Sequence, residues 1–157
     1  MIEMKVKGIA FDQKSMMPVV ILVDEFEERV LPIWIGFFEA NAIALAIEGL
    51  EPPRPMTHDL MKDILQNLKA KMISIYIDDL RDSTYYARLN LETSAGVIDI
   101  DARPSDAIAL ALRIKAPIYV AEKVLMGATV SDKPIDEEEV QKHKESLKNI
   151  KPEDFTN

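Results

Sequence analysis

Apolar and polar residues alternate at the start of the chain and then change period, and each change marks an element. Lys5-Val-Lys-Gly-Ile-Ala-Phe11 alternates with period two, the pattern of a half-buried strand. Pro18-Val-Val-Ile-Leu-Val23 is an unbroken apolar run and Val30-Leu-Pro-Ile-Trp-Ile35 a third strand, with turns at 12–17 and 24–29. Gly36 opens a helix to about Glu48, and Gly49 just past its end is a stop signal. Glu51-Pro-Pro-Arg-Pro55 cannot be helical, because proline lacks the amide donor and restricts the residue before it. Leu60, Ile64, Leu65 and Leu68 then form one stripe, so 57–70 reads as an amphipathic helix, with Thr57 its expected N-cap and Asp59 in its first turn.

The same order then restarts. Met72-Ile-Ser-Ile-Tyr-Ile77, Thr84-Tyr-Tyr-Ala-Arg-Leu-Asn-Leu91 and Val97-Ile-Asp-Ile-Asp101 read as strands, 105–115 as a helix and Pro117-Ile-Tyr-Val-Ala121 as a closing strand. Ala42-Ile-Ala-Leu-Ala-Ile47 and Ala107-Ile-Ala-Leu-Ala-Leu112 differ at one position at an offset of 65, where Ile33 also meets Ile98 and Ile35 meets Ile100. A duplicated β-β-β-α unit follows, with halves at about 1–65 and 66–130. The fold class expected is α+β, a mixed sheet carrying two buried alanine- and leucine-rich helices. Residues 131–157 form a tail with eight acids against five lysines, and 133–149 is expected to be a charged helix.

Composition narrows the chemistry. There is no cysteine and there are only two histidines, His58 and His143, which rules out disulfides, thiolate metal sites and a histidine-rich zinc site. No apolar run approaches membrane-spanning length, and a cytoplasmic protein is expected. The net charge of −8 opposes passive binding to nucleic acid, which depends on phosphate neutralisation. An acidic site that recruits a divalent cation would reverse its own local charge.

Two clusters of polar residues stand at helix starts. Asp101-Ala-Arg-Pro-Ser-Asp106 places two carboxylates, a guanidinium and a hydroxyl around free N–H groups and a positive dipole end. Arg103 could grip a phosphate bidentately, and Asp101 with Asp106 could hold a magnesium-like cation. Against that, Ser105 is a natural N-cap, Asp106 a natural first-turn residue, and Arg103 a natural partner for Asp101. Arg54-Pro-Met-Thr-His58-Asp59 brings Arg54 and an imidazole suited to acid/base work to a second helix start, with a capping role again the alternative. Trp34, Phe37 and Phe38 suit a core or a subunit interface.

Leu31-Pro-Ile-Trp-Ile-Gly36 with Glu39-Ala40, Arg54-Pro-Met-Thr-His-Asp-Leu60, and Asp101-Ala-Arg-Pro-Ser-Asp-Ala-Ile-Ala-Leu-Ala111 together resemble the bifunctional nuclease (DNase/RNase) domain family over about residues 1–130. The resemblance implies a compact, often oligomeric α+β domain that degrades DNA and RNA. The matching polar positions are Glu39, Arg54, Thr57, His58, Asp59, Asp101, Arg103, Ser105 and Asp106. On this reading His58, Asp101, Asp106 and Glu39 are the candidate catalytic residues. Arg54, Arg103, Ser105 and Thr57 are the candidate substrate-binding residues, and Asp101 and Asp106 the ligands of a divalent cation such as magnesium. The partners expected are nucleic acid and a second copy of the chain. The alternative is a non-catalytic binding or regulatory module whose polar clusters fix helix ends or a subunit interface. A single reaction site requires the two helix-start motifs to converge in space.

Overall fold

The computed structural model describes residues 1–128. They form a mixed seven-stranded sheet with four helices, the α+β class that the two strand triplets predict. β1 (Ile2–Asp12), β2 (Met17–Val23) and β3 (Val30–Trp34) make an antiparallel meander, followed by α1 (Phe37–Ile47) and α2 (Thr57–Asn67). β4 (Lys71–Arg81), β5 (Thr84–Thr93) and β6 (Gly96–Ala102) make a second, followed by α3 (Pro104–Ile114). β7 (Ile118–Val120) joins them, antiparallel to β1 and parallel to β4, so the order is β3-β2-β1-β7-β4-β5-β6. α4 (Glu122–Gly127) was not foreseen, because six residues are too few to display a helical period. The helix expected at 133–149 lies outside the described residues.

The sheet explains the unbroken apolar run at 18–23. Val20 and Leu22 face the main core with Ile9, Leu31 and Ile33, while Val19, Ile21 and Val23 face a small cluster on the opposite side with Ala10 and Val30. A strand buried on both faces has no reason to alternate.

The two alanine-rich helices are not equally buried, contrary to expectation. α3 packs against α1, α2, β4 and β5, and Ala107 to Ala111 are at most 1% exposed. α1 lies over β1 and β2 and buries only Ala40, Ile43 and Ala44, leaving Phe37 and Phe38 exposed. The difference is one of position: α3 is central among the helices, whereas α1 has an outer face. Gly49 ends α1 with a positive φ of 66°, donating to Ala46 O while Leu50 N–H donates to Leu45 O, the paired bonds of a glycine C-terminal motif.

Candidate functional site

Each of the three long helices carries a carboxylate at its third residue, and these positions organise the site. α1 is capped by Gly36, α2 by Met56 and α3 by Arg103, which puts Glu39, Asp59 and Asp106 at equivalent places in their first turns. Negative charge there complements the positive end of the helix dipole. Thr57 and Ser105 are not the caps that the sequence suggests. Asp59 Oδ2 accepts the Met56 N–H at 3.0 Å, moving the α2 cap one residue earlier. Pro104, with its fixed φ and no amide to satisfy, takes the first position of α3.

The two polar motifs converge. His58 Nε2 donates to Asp106 Oδ1 at 3.0 Å, a contact between residues 48 positions apart. An ionised carboxylate only accepts, so whenever the ring is neutral Nε2 carries the proton and Nδ1 is the basic nitrogen. His58 is buried, and Nδ1 has no hydrogen-bond partner among the described residues. Arg103 Nε donates to Asp106 Oδ2 at 2.9 Å, and Arg103 Nη1 donates to Glu39 Oε1 at 3.0 Å. One guanidinium thus links the starts of α1 and α3, while the imidazole links α3 to α2.

Burial is the largest single influence on the Asp106 carboxyl and pushes its pKa up. The hydrogen bonds and charges of Arg103 and His58 outweigh it and hold the group below the ordinary aspartate value. Arg103 is shifted upward, chiefly by its bonds to Asp106 and then Glu39. Gly36 belongs to the same arrangement, because a Cβ there would collide with the Glu39 carboxylate.

A second brace was missed in the sequence. Arg113, almost buried in α3, donates through Nε to Asp59 Oδ1 at 3.0 Å and through Nη2 to Ala42 O at 2.9 Å, joining all three helices. The available signal was a lone cation in an otherwise apolar helix.

The other candidates lie apart from this cluster. Asp101 alternates with Ile100 and Ala102 on β6, faces away from the helices, and makes no hydrogen bond or ion pair among the described residues. Its sheet face instead carries Arg88, which pairs with Asp78 and Asp99. The expected Arg103–Asp101 pair does not form, since Arg103 turns to Glu39 and Asp106. Arg54 is exposed and unpaired among the described residues, Thr57 is exposed at the first position of α2, and Ser105 is buried beside Asp106. Among the described residues no group of three or more histidine, aspartate or glutamate side chains is arranged to hold a metal ion. Asp101 and Asp106, the expected ligands of a shared cation, lie on different sides of the sheet, Asp101 on the Arg88 face and Asp106 at the start of α3. No helix among the described residues is long and apolar enough to cross a membrane.

Fold and site together define an α+β domain in which a histidine–aspartate contact is anchored where three helices begin. This chain belongs to the bifunctional nuclease domain family, whose model matches residues 20–133. It is 43% identical to an uncharacterized protein of Mycobacterium tuberculosis over 162 residues, covering 98% of this chain and 97% of that protein. Bifunctional nuclease 1 of Oryza sativa subsp. japonica is 26% identical over 109 residues, which span 68% of this chain and 33% of the rice protein. Bifunctional nuclease 2 of Arabidopsis thaliana is 25% identical over 105 residues, 65% of this chain and 32% of that protein.

Proposed function

We propose that this chain is a nuclease that hydrolyses phosphodiester bonds of DNA, RNA or both in the cytoplasm, with His58, Asp106 and Arg103 as its reaction site and Glu39 as their brace. The observation that carries this reading is the 3.0 Å contact between His58 and Asp106, side chains from two separate motifs, in a chain of the bifunctional nuclease domain family. Asp106 fixes the imidazole with Nε2 protonated and stabilises the imidazolium that forms when Nδ1 takes a proton from the attacking water. Arg103, its side chain 64% exposed, spends Nε on Asp106 and Nη1 on Glu39 and keeps Nη2 for a phosphate oxygen. Arg54, on its proline-bracketed loop, supplies a further cation to the nucleic acid backbone.

A second reading is favoured by the completeness of the pairing. Arg103 is already bound to two carboxylates, so the same cluster serves equally as a clasp between helix starts in a non-catalytic module. Degradation of plasmid DNA and of RNA by highly purified protein, with and without EDTA, separates the two. The nuclease reading expects both polymers or one to be cleaved by the native chain and spared by His58→Gln and Arg103→Ala. Cleavage that survives both substitutions overturns it, and loss in EDTA with recovery in magnesium brings a cation into the reaction.

Assembly belongs to the same proposal. Trp34 and Phe37 are 48% and 44% exposed at the end of β3 and the start of α1, and a second copy of the chain covers this face in a homodimer. Light scattering should give twice the 17.7 kDa chain mass, and a concentration-independent monomer contradicts the dimer.

A further inference from the structure

The sheet has a notch away from the histidine cluster. Ile2, Glu3 and Met4 of β1 pair with β7 on one side, but β2 starts to pair with β1 only at Lys5, opposite Val23. The chain turns away at Asp24, so on that side the first three residues of β1 have no strand partner among the described residues. The space left is a groove of about 610 Å³ between this free edge and the 24–29 turn. Its exposed apolar surface comes from Ile2 and from Phe26, 76% exposed at the rim, while Met4 and Val23 beneath are buried. A second groove of about 370 Å³, lined partly by Val30, Leu125 and Met126, shares Glu28 and Arg29 with the first and extends it toward α4.

Charge selects what fits. Glu3, Glu25 and Glu28 line the groove, make no ion pair among the described residues, and outnumber Lys5, a cation that lines it without an ion pair. Asp24 is occupied in the turn, where Oδ1 accepts the N–H groups of Glu28 and Arg29, and Arg29 is turned toward Glu122 at 3.6 Å. The excess of carboxylates over Lys5 and Arg29, set beside Ile2 and Phe26, repels phosphate and attracts a chain that alternates cationic and apolar side chains. A free strand edge supplies the backbone donors and acceptors that such a chain needs.

We infer that this notch is a docking site for an extended basic peptide segment of a partner protein, which adds as a short strand to the free edge of β1. The site is separate from the proposed nuclease cluster and stands or falls independently of it. The probe is a capped hexapeptide alternating lysine and valine, titrated against the full chain by fluorescence anisotropy, with hydrogen exchange followed at Ile2, Glu3 and Met4. Binding should slow exchange within Ile2–Met4 and should weaken at least about tenfold in a Glu25→Lys, Glu28→Lys variant, whose changes lie on the exposed turn. The same peptide N-methylated at alternate amides keeps its charge but cannot pair along its edge, and should bind at least about tenfold more weakly. Equal affinity for the methylated peptide, equal affinity in the charge-reversed variant, or no protection at residues 2–4 overturns the proposal.

Discussion

The two helix starts that follow the two meanders share a plan and differ in what is added to it. Phe37 and Pro104 each open an 11-residue helix, and each helix has a carboxylate in its first turn, Glu39 in α1 and Asp106 in α3. Counted from these starts the helices are offset by 67 residues, not the 65 of the alanine–leucine hexamers, and burial follows the structural count. Ala40, Ile43 and Ala44 are buried in α1, as are Ala107, Leu110 and Ala111 in α3. The fold therefore uses an acid at both places, and Asp106 is not exceptional for being one. What sets α3 apart is the company: Arg103 where α1 has Gly36, Arg113 where α1 has Ala46, and His58 delivered from α2. A capping acid becomes a candidate reacting group only when a second element brings a titratable partner to it.

Removing what α3 adds should have the largest effect on stability. Arg113→Ala makes this position like Ala46 and leaves Asp59 facing a partly buried void. Urea denaturation should show a loss of about 2–4 kcal/mol, because one member of a desolvated pair is removed. The reverse change, giving α1 a side chain at its cap, should cost less. Gly36→Ala pushes the Glu39 carboxylate away from Arg103, and a loss of about 1–2 kcal/mol is expected. The backbone there is not the obstacle, since φ is −79°.

Acid should report on the Asp106 carboxylate next. The Asp106 carboxyl sits below its ordinary value in the folded chain, so the unfolded chain binds more protons as pH falls toward that value. Its contribution is complete above the unfolded aspartate pKa of about 3.9 and is lost as pH drops through the folded value. Thermal unfolding of the native chain should therefore lose stability more steeply below about pH 4 than Asp106→Asn does. Parallel slopes would show that Asp106 gains nothing from Arg103 and His58. The smallest effect belongs to the link between the helix starts. Arg103 is largely exposed, so a double-mutant cycle of Arg103→Ala with Glu39→Gln should give a coupling of only about 0.2–1 kcal/mol.

Much of this was legible in the residues. Period-two runs locate the strands, Gly49 marks the end of α1, and Arg54–Asp59 and Asp101–Asp106 stand out as polar clusters at helix starts. The caps were misread because Thr57 and Ser105 are good capping types, while the true caps are set by Asp59 reaching back to Met56 and by Pro104 at the first turn. Asp101 was grouped with Asp106 by adjacency, but strand alternation turns it to the other face of the sheet. The unequal burial of α1 and α3 was hidden because it depends on which helix lies between others, and near-identical hexamers carry no record of that. Arg113 illustrates the same limit, since its partners at Ala42 and Asp59 lie far away in sequence.

On the proposed reading the α3 start does chemistry while its α1 counterpart supports it. Initial rates of RNA and plasmid cleavage by Asp106→Asn and Glu39→Gln, each confirmed folded by circular dichroism, address this directly. A general-base contribution of about 10²-fold or more should vanish in Asp106→Asn, with Glu39→Gln remaining within a few-fold of the native chain. Equal loss in the two variants, or an Asp106→Asn chain as active as the native one, would contradict the claim.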